Sequence, residues 1–293
     1  VLDIDSMPSR LGAFLTLRDG ARSATVVGYE AMSGGYSRLM ARADIVWSDG
    51  TTESLVLRGD PPAGKAMMET DRDTEYAVLT ALVAAGTIPM PAARYYDATG
   101  EHLGTKCIVL DLVPGRSLHA ILNDGEWPDG FGTHVTDLVD TMARVHTVDV
   151  GAIAGVLPVP GEWDHYLGGL IDRFRQADRA HPEPVPFLRY VAAWLDANRP
   201  PPLPLRLVHS DFQAANIMVD AKGDHQVIDW ELAHIGDPRE DLGYYNVYSS
   251  TSGPNLLACD PEAFLARYRE QTGFGEDAVN LSTLAYFSSL AAV

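Results

Sequence analysis

The sequence predicts an α+β fold in two parts, a small antiparallel sheet over the first third and a mainly helical remainder. Three observations predict it. Apolar runs of strand length joined by turn residues, with one or two helices among them, make up the first 113 positions, apolar spacings of three and four dominate after them, and Pro114-Gly115 stands between. The lobes are therefore set at 1–113 and 114–293.

Ser6 followed by Pro8 opens a helix whose stripe is Leu11, Phe14 and Leu15. Strands are predicted over Ala24–Met32, Leu39–Trp47 and Thr52–Arg58; Ser48-Asp49-Gly50 turns the chain between the last two because Asp and Gly tolerate positive φ. From Asp71 to Ala85 the spacing turns helical, with Val78, Leu79, Leu82 and Val83 on one stripe and Gly86 as a stop. Glu75 falls on that stripe, within about 40° of Leu79 and Leu82, so a carboxylate points where the helix packs. Ala92–Asp97 and Lys106–Val113 complete the sheet.

Beyond the boundary, Val135, Leu138, Val139 and Met142 mark a helix, and less regular helices are expected at 163–178 and 186–198. Arg199-Pro200-Pro201-Pro202-Leu203-Pro204 excludes helix and reads as an extended connector. Leu205–His209, Ala215–Val219 and His225–Asp229 read as short strands, the last two joined by a turn at Asp220–Gly223, and an apolar helix begins near Leu281.

At 293 residues the chain can bury a sizeable core, and 46% apolar with 21% charged residues is an ordinary globular composition. The formal charge of −18 repels phosphate backbones and anionic lipid surfaces. Neither nucleic acid nor membrane is an expected partner, and an anionic ligand has to be held by locally placed cations, amides or a metal. The longest strongly apolar stretch, Tyr76–Ala85, is half of the roughly 20 residues a spanning helix needs. Cys107 and Cys259 form no ligand cluster or disulfide framework, which fits a reducing, cytoplasmic setting. Oligomeric state leaves no mark.

The chemistry concentrates in Leu207-Val208-His209-Ser210-Asp211-Phe212-Gln213-Ala214-Ala215-Asn216, continuing to Ile228-Asp229-Trp230-Glu231. An Asp, an Asn five residues on and an Asp thirteen beyond that, in a loop followed by a hairpin, supply what phosphoryl transfer requires. Asp211 orients and deprotonates an acceptor hydroxyl, and Asn216 and Asp229 offer hard oxygen ligands for Mg²⁺. His209 is read as packing and hydrogen-bonding support for the loop, His146 as structural, and Tyr244 and Tyr245 as core.

The HxDxxxxN loop, Ile-Asp-Trp-Glu and Ile235-Gly236-Asp237-Pro238-Arg239-Glu240-Asp241-Leu242 resemble the aminoglycoside phosphotransferase family. Within it the chain is most similar to proteins related to the kinase-like domains attached to some acyl-CoA dehydrogenases. The resemblance implies a protein-kinase-like bilobal fold, ATP or GTP and Mg²⁺ as cofactors, and transfer of the γ-phosphoryl group to a small-molecule hydroxyl. It implies that Arg58 in Leu55-Val56-Leu57-Arg58 contacts phosphates, with Glu75 as the helix glutamate that pairs with it. It also implies that Ile108–Gly115 is the hinge, where the Asp111 carbonyl and Val113 amide read adenine and Leu110 is the gate. Met32–Arg38 stands where a phosphate-covering turn belongs; although it is no GxGxxG, Ser33, Gly34, Gly35 and Ser37 could cradle phosphate through their N–H groups.

Two roles stand open for Asp237 and Asp241: solvated helix caps, or, for Asp241, hydrogen bonds to the catalytic-loop backbone. The rival functions are a nucleotide-binding pseudokinase, an aminoglycoside-type antibiotic kinase, and a metal phosphoesterase built on His209, Asp211 and Asp229. The insert 161–200 mixes Glu162, Asp164, Asp172, Asp178, Glu183 and Asp196 with Arg173, Arg175, Arg179, Arg189 and Arg199, and interleaves Trp163, Tyr166, Phe174, Phe187, Tyr190 and Trp194. The expected acceptor is therefore a partly apolar hydroxylated metabolite, a hydroxyacyl thioester among the candidates, rather than a polycation. Packing core is the alternative for those aromatics.

Overall fold

The computed structural model describes residues 6–32, 39–60, 71–125, 131–252 and 255–291. The chain divides into two compact units, one of residues up to 84 with 90–113, the other of 85–89 with everything from 114 onward.

In the first unit, helix α1 (Met7–Asp19) precedes strands β1 (Ala24–Ala31), β2 (Leu39–Trp47) and β3 (Thr52–Gly59). Helix α2 (Arg72–Ala85) and strands β4 (Ala93–Asp97) and β5 (Cys107–Asp111) follow. Among the described residues the strands form one antiparallel sheet in the order β1-β2-β3-β5-β4. Alternation sets its faces: Ala41, Ala43, Ile45 and Trp47 point into a core shared with Met7, Leu11, Phe14 and Leu15 of α1. Register places Arg58 opposite Ile108 and Val56 opposite Leu110.

The second unit begins with β6 (Arg116–Ser117), α3 (Leu118–Asp124), α4 (Phe131–His146) and α5 (Val150–Ile153). Then come α6 (Trp163–Ala180), α7 (Pro186–Ala197), β7 (Arg206–Val208), β8 (Ile217–Val219), β9 (His225–Val227) and β10 (His234–Gly236). The chain finishes through α8 (Arg239–Ser252), α9 (Leu256–Cys259), α10 (Pro261–Thr272) and α11 (Leu281–Ala291). Strands β7 and β10 pair, and β8 pairs with both β6 and β9. Helices α8 and α11 touch backbone to backbone at Gly243, where an added Cβ would lie 2.3 Å from the Phe287 carbonyl carbon. No described helix is long and apolar enough to cross a membrane.

The strands around the loop are shorter than the sequence predicts. Strand β7 ends at Val208 because the next two amides are taken by a side chain, and β9 ends at Val227 because Asp229 sits at φ 68°, which no strand residue can. Ala214–Asn216 forms a 3₁₀ turn where the sequence reading begins a strand at Ala215.

Candidate functional site

In the second unit the loop after β7 is pinned from α8. Asp241, fully buried, accepts from the amides of His209 and Ser210, both at 2.8 Å, one on each carboxylate oxygen. A third donor, His146 Nε2 from α4, reaches Oδ2 at 2.9 Å, and His146 Nδ1 meets Tyr268 Oη of α10 at 2.6 Å. Burial pushes the Asp241 carboxyl up, but the His146 hydrogen bond and charge, with the His209 amide, outweigh it and hold the group below its ordinary value. The open choice for Asp241 thus resolves to loop support. Asp237 instead clamps buried Arg239 and accepts from Trp163 Nε1 at 2.6 Å.

With both amides aimed at Asp241, Ser210 is forced to φ 71°, a left-handed conformation that a residue with a Cβ adopts at a cost. His209 is used up as support. Its Nε2 donates to the Ile228 carbonyl at 3.0 Å, its Nδ1 accepts from the Asp211 amide at 3.3 Å, and its ring meets Trp230 edge-on at 4.7 Å between centroids.

Asp211 is held by three donors. Gln213 Nε2 reaches Oδ1 at 2.7 Å, Tyr244 Oη donates to the same oxygen, and Asn216 Nδ2 reaches Oδ2 at 2.6 Å. Burial, then the hydrogen bond to Asp211, push the Tyr244 phenol well above its ordinary value, so it stays a donor. Reading Tyr244 as core is therefore corrected: Tyr245 is buried, whereas Tyr244 is partly exposed and bonded to the loop carboxylate. Spacing held the missed signal, because Asp241 and Tyr244 lie three apart on α8 and therefore share the face turned to the loop. Gln213 was missed as well.

Asn216 and Asp229 are brought together by the β8–β9 hairpin, where the Ile228 amide donates to the Asn216 carbonyl at 2.9 Å. Asn216 Nδ2 is committed to the carbonyl and carboxylate of Asp211, which turns its Oδ1 away as a hard acceptor. One amide oxygen and one carboxylate suit Mg²⁺, which keeps waters and takes phosphate oxygens for its remaining positions. Among the described residues no group of three or more His, Cys, Asp or Glu could hold a metal. The pair thus fits an ion that arrives with its own waters and phosphates. Ser210 and Tyr244 also line a pocket of about 200 Å³ in this unit.

In the first unit Arg58 Nε lies 2.8 Å from Glu75 Oε1, both side chains buried. Arg72, absent from the sequence reading, takes the other oxygen of Glu75 and bonds to Asp60 at 3.0 Å. Glu75 therefore serves two guanidiniums. In a double-mutant cycle, Arg58→Ala and Glu75→Ala should couple by about 0.5–3 kcal/mol in urea unfolding, with Glu75→Ala the costlier single change because it removes a carboxylate that two buried cations share. Additive effects would show that the contact carries no energy. On β5, Leu110 is buried, the Asp111 amide donates to the Ala92 carbonyl at 3.0 Å, and the Asp111 carboxylate pairs with Arg94 at 2.9 Å. Val113 closes this unit, nearly buried. Ser33, Gly34, Gly35 and Ser37 lie outside the described residues.

A family model described as "Phosphotransferase enzyme family" matches residues 34–280. Acyl-CoA dehydrogenase family member 11 of Pongo abelii is 26% identical over 200 residues, which is 67% of this chain and 25% of that protein. The Gallus gallus protein of the same description is 30% identical over 199 residues, 66% of this chain and 25% of its own length. The chain thus spans about a quarter of the length of these curated relatives. Among solved structures, a putative aminoglycoside phosphotransferase from Ralstonia eutropha superposes with a TM-score of 0.68 at 21% identity, covering 96% of this chain and 85% of that one. Macrolide 2'-phosphotransferase MphH from Brachybacterium faecium gives 0.65 at 19%, covering 94% and 87%. An aminoglycoside phosphotransferase in ternary complex with ADP and hygromycin B gives 0.57 at 15%, covering 96% and 88%. At these identities the likeness to the solved structures is one of fold.

Proposed function

The chain belongs to the phosphotransferase enzyme family, and from that premise we propose that it transfers the γ-phosphoryl group of ATP or GTP to the hydroxyl of a small molecule. The observation that carries the reading is the Asp211 carboxylate. An ionised carboxylate offers about four lone-pair positions. Tyr244 and Gln213 fill those of Oδ1 and Asn216 fills one of Oδ2, so a single position on Oδ2 is left to receive a proton.

In this reading the acceptor oxygen attacks the γ-phosphorus, its proton passes to Asp211 Oδ2, and the bond to the bridging oxygen breaks with its electron pair leaving on the nucleoside diphosphate. Mg²⁺, when bound, offsets phosphate charge, with Asn216 and Asp229 as its protein ligands. Arg58, oriented by Glu75, contacts phosphates; Leu110 and the main chain of Asp111 and Val113 are assigned to the base, and Ser33, Gly34, Gly35 and Ser37 to the phosphate-covering turn. The ADP held by a structural neighbour supports a nucleotide cofactor. Most of the acceleration then comes from positioning and charge neutralisation.

The test follows label from the γ-phosphate with and without a hydroxyl library, beside calorimetry of nucleotide binding. Label should move to a hydroxyl compound, and Asp229→Ala should abolish the Mg²⁺-dependent part of nucleotide binding. Binding without transfer would identify a pseudokinase; unchanged Mg²⁺ dependence in the variant would remove Asp229 from the metal site.

A further inference from the structure

We propose that the pocket beside Asp211 selects an acceptor that is a compact hydroxycarboxylic acid with an apolar, ring-like body, its carboxylate held by Arg173. The proposal rests on the phosphotransfer reading above and names the substrate class of that same site.

The pocket is made of helical stripes. Glu240, Tyr244 and Tyr248 lie four apart along α8, Arg173 and Phe174 come from α6, and Phe287 comes from α11. Tyr244 and Tyr248 stack with ring centroids 4.2 Å apart, so each ring braces the other at the pocket wall, and Phe174 and Phe287 add apolar surface. At roughly 30 Å³ per water, 200 Å³ holds about seven waters. A single ring or a short chain fills that space.

Charge decides what else the ligand carries. Most acids of the insert are already paired inside it: Asp172 and Asp196 with Arg175, Asp178 with Arg189, and Asp164 and Asp196 with Arg199. Arg173 makes no ion pair among the described residues, and it lines the pocket. Its charge is felt at Tyr166, the hydroxyl bonded to Glu240. Glu240, the carboxylate on the pocket wall, is turned inward: Oε1 accepts from Tyr166 Oη at 2.6 Å and the Asp237 amide at 2.9 Å, with His234 at 3.6 Å from Oε2. Arg173 is thus the wall cation that no ion pair among the described residues occupies, beside a Glu240 whose oxygens are already engaged. On the pocket wall a polycation finds Glu240 already engaged and Arg173 opposing it, whereas a carboxylate anion finds a guanidinium. Because Tyr244 both lines the pocket and donates to Asp211, the proposal sets the acceptor hydroxyl on the carbon next to the ligand's ring, at the end of the pocket nearest the base. Bond making and breaking are those given above, with the hydroxyl proton ending on Asp211.

Mandelate, methyl mandelate and phenylethanolamine present one ring and one hydroxyl with a negative, neutral and positive group. With labelled γ-phosphate and Mg²⁺, the full chain should use mandelate over its ester by about tenfold or more in kcat/KM, with the amine poorest. Arg173→Gln should bring the acid-to-ester ratio toward one, and Arg173→Lys should keep part of it. Equal use of acid and ester, preference for the amine, or an unchanged ratio in Arg173→Gln overturns the proposal. Transfer to none of the three, while Asp211-dependent release of label to water persists, overturns the acceptor class and leaves the phosphotransfer reading standing. Neither transfer nor release overturns both.

Discussion

Asp211→Asn is expected to lower turnover by about 10²–10⁴, the scale of a lost general base, with nucleotide affinity unchanged. The argument is one of hydrogen-bond polarity. Gln213 and Tyr244 both donate to Oδ1 and Asn216 donates to Oδ2. An Asn side chain has one acceptor oxygen, so its amide group must face at least one of these donors, and the lone pair assigned to the acceptor proton becomes an N–H. Turnover by single-turnover label transfer, with nucleotide affinity by calorimetry on the same sample, separates lost chemistry from lost binding. Near wild-type turnover would take Asp211 out of the mechanism.

Asp241→Ala should cost about 3–5 kcal/mol in stability, the range for removing one partner of a buried charged contact. It strands the amides of His209 and Ser210 and the Nε2 of His146 together. The measurement is the urea midpoint, read beside turnover, which should fall as the loop loses its anchor. Acid dependence gives a second reading. The folded-state carboxyl lies below its ordinary 3.8, so its stabilisation is complete above that value and is lost as pH falls through the lower folded value. Asp241→Asn should lose this part of the acid slope. A variant as stable as wild type would mean that water replaces the carboxylate without cost.

Much of what depended on local pattern was legible in the sequence, although the turn at Ala214–Asn216 and the short-range contacts of Gln213 and Arg72 were not. Strand β2 came from an apolar run of strand length and a Ser-Asp-Gly turn, α4 from its i, i+3, i+4 stripe, and the α+β class and family resemblance from those elements with the Asp211–Asn216–Asp229 spacing. What depended on contacts distant in sequence was not. Tyr244 reaches Asp211 from 33 residues away, and the spacing from Asp241 names its face of α8 but not the carboxylate that it meets. Arg72 did carry a local signal in its i, i+3 spacing to Glu75, while its other partner, Asp60, lies beyond the end of β3. The insert's aromatics were given to the acceptor as a group, yet Phe187 and Tyr190 are 65% and 68% exposed, Trp163 bonds to Asp237, and Phe174 lines the pocket. Composition gives a segment's chemistry; only its packing says which side chain faces the ligand.

Gly243 bears on how such an enzyme diversifies. Because helix α11 rests on the bare backbone of α8 there, the seat of Phe287 is fixed by the absence of a side chain. Any substitution, starting with alanine, must drive the two helices apart to clear a 2.3 Å approach. Tyr244 stands next to that contact on one helix and Phe287 forms it on the other. The capacity of the chamber between them is therefore under the control of a single codon, and a lineage could trade acceptors of different girth there without altering Asp211 or the residues that hold it.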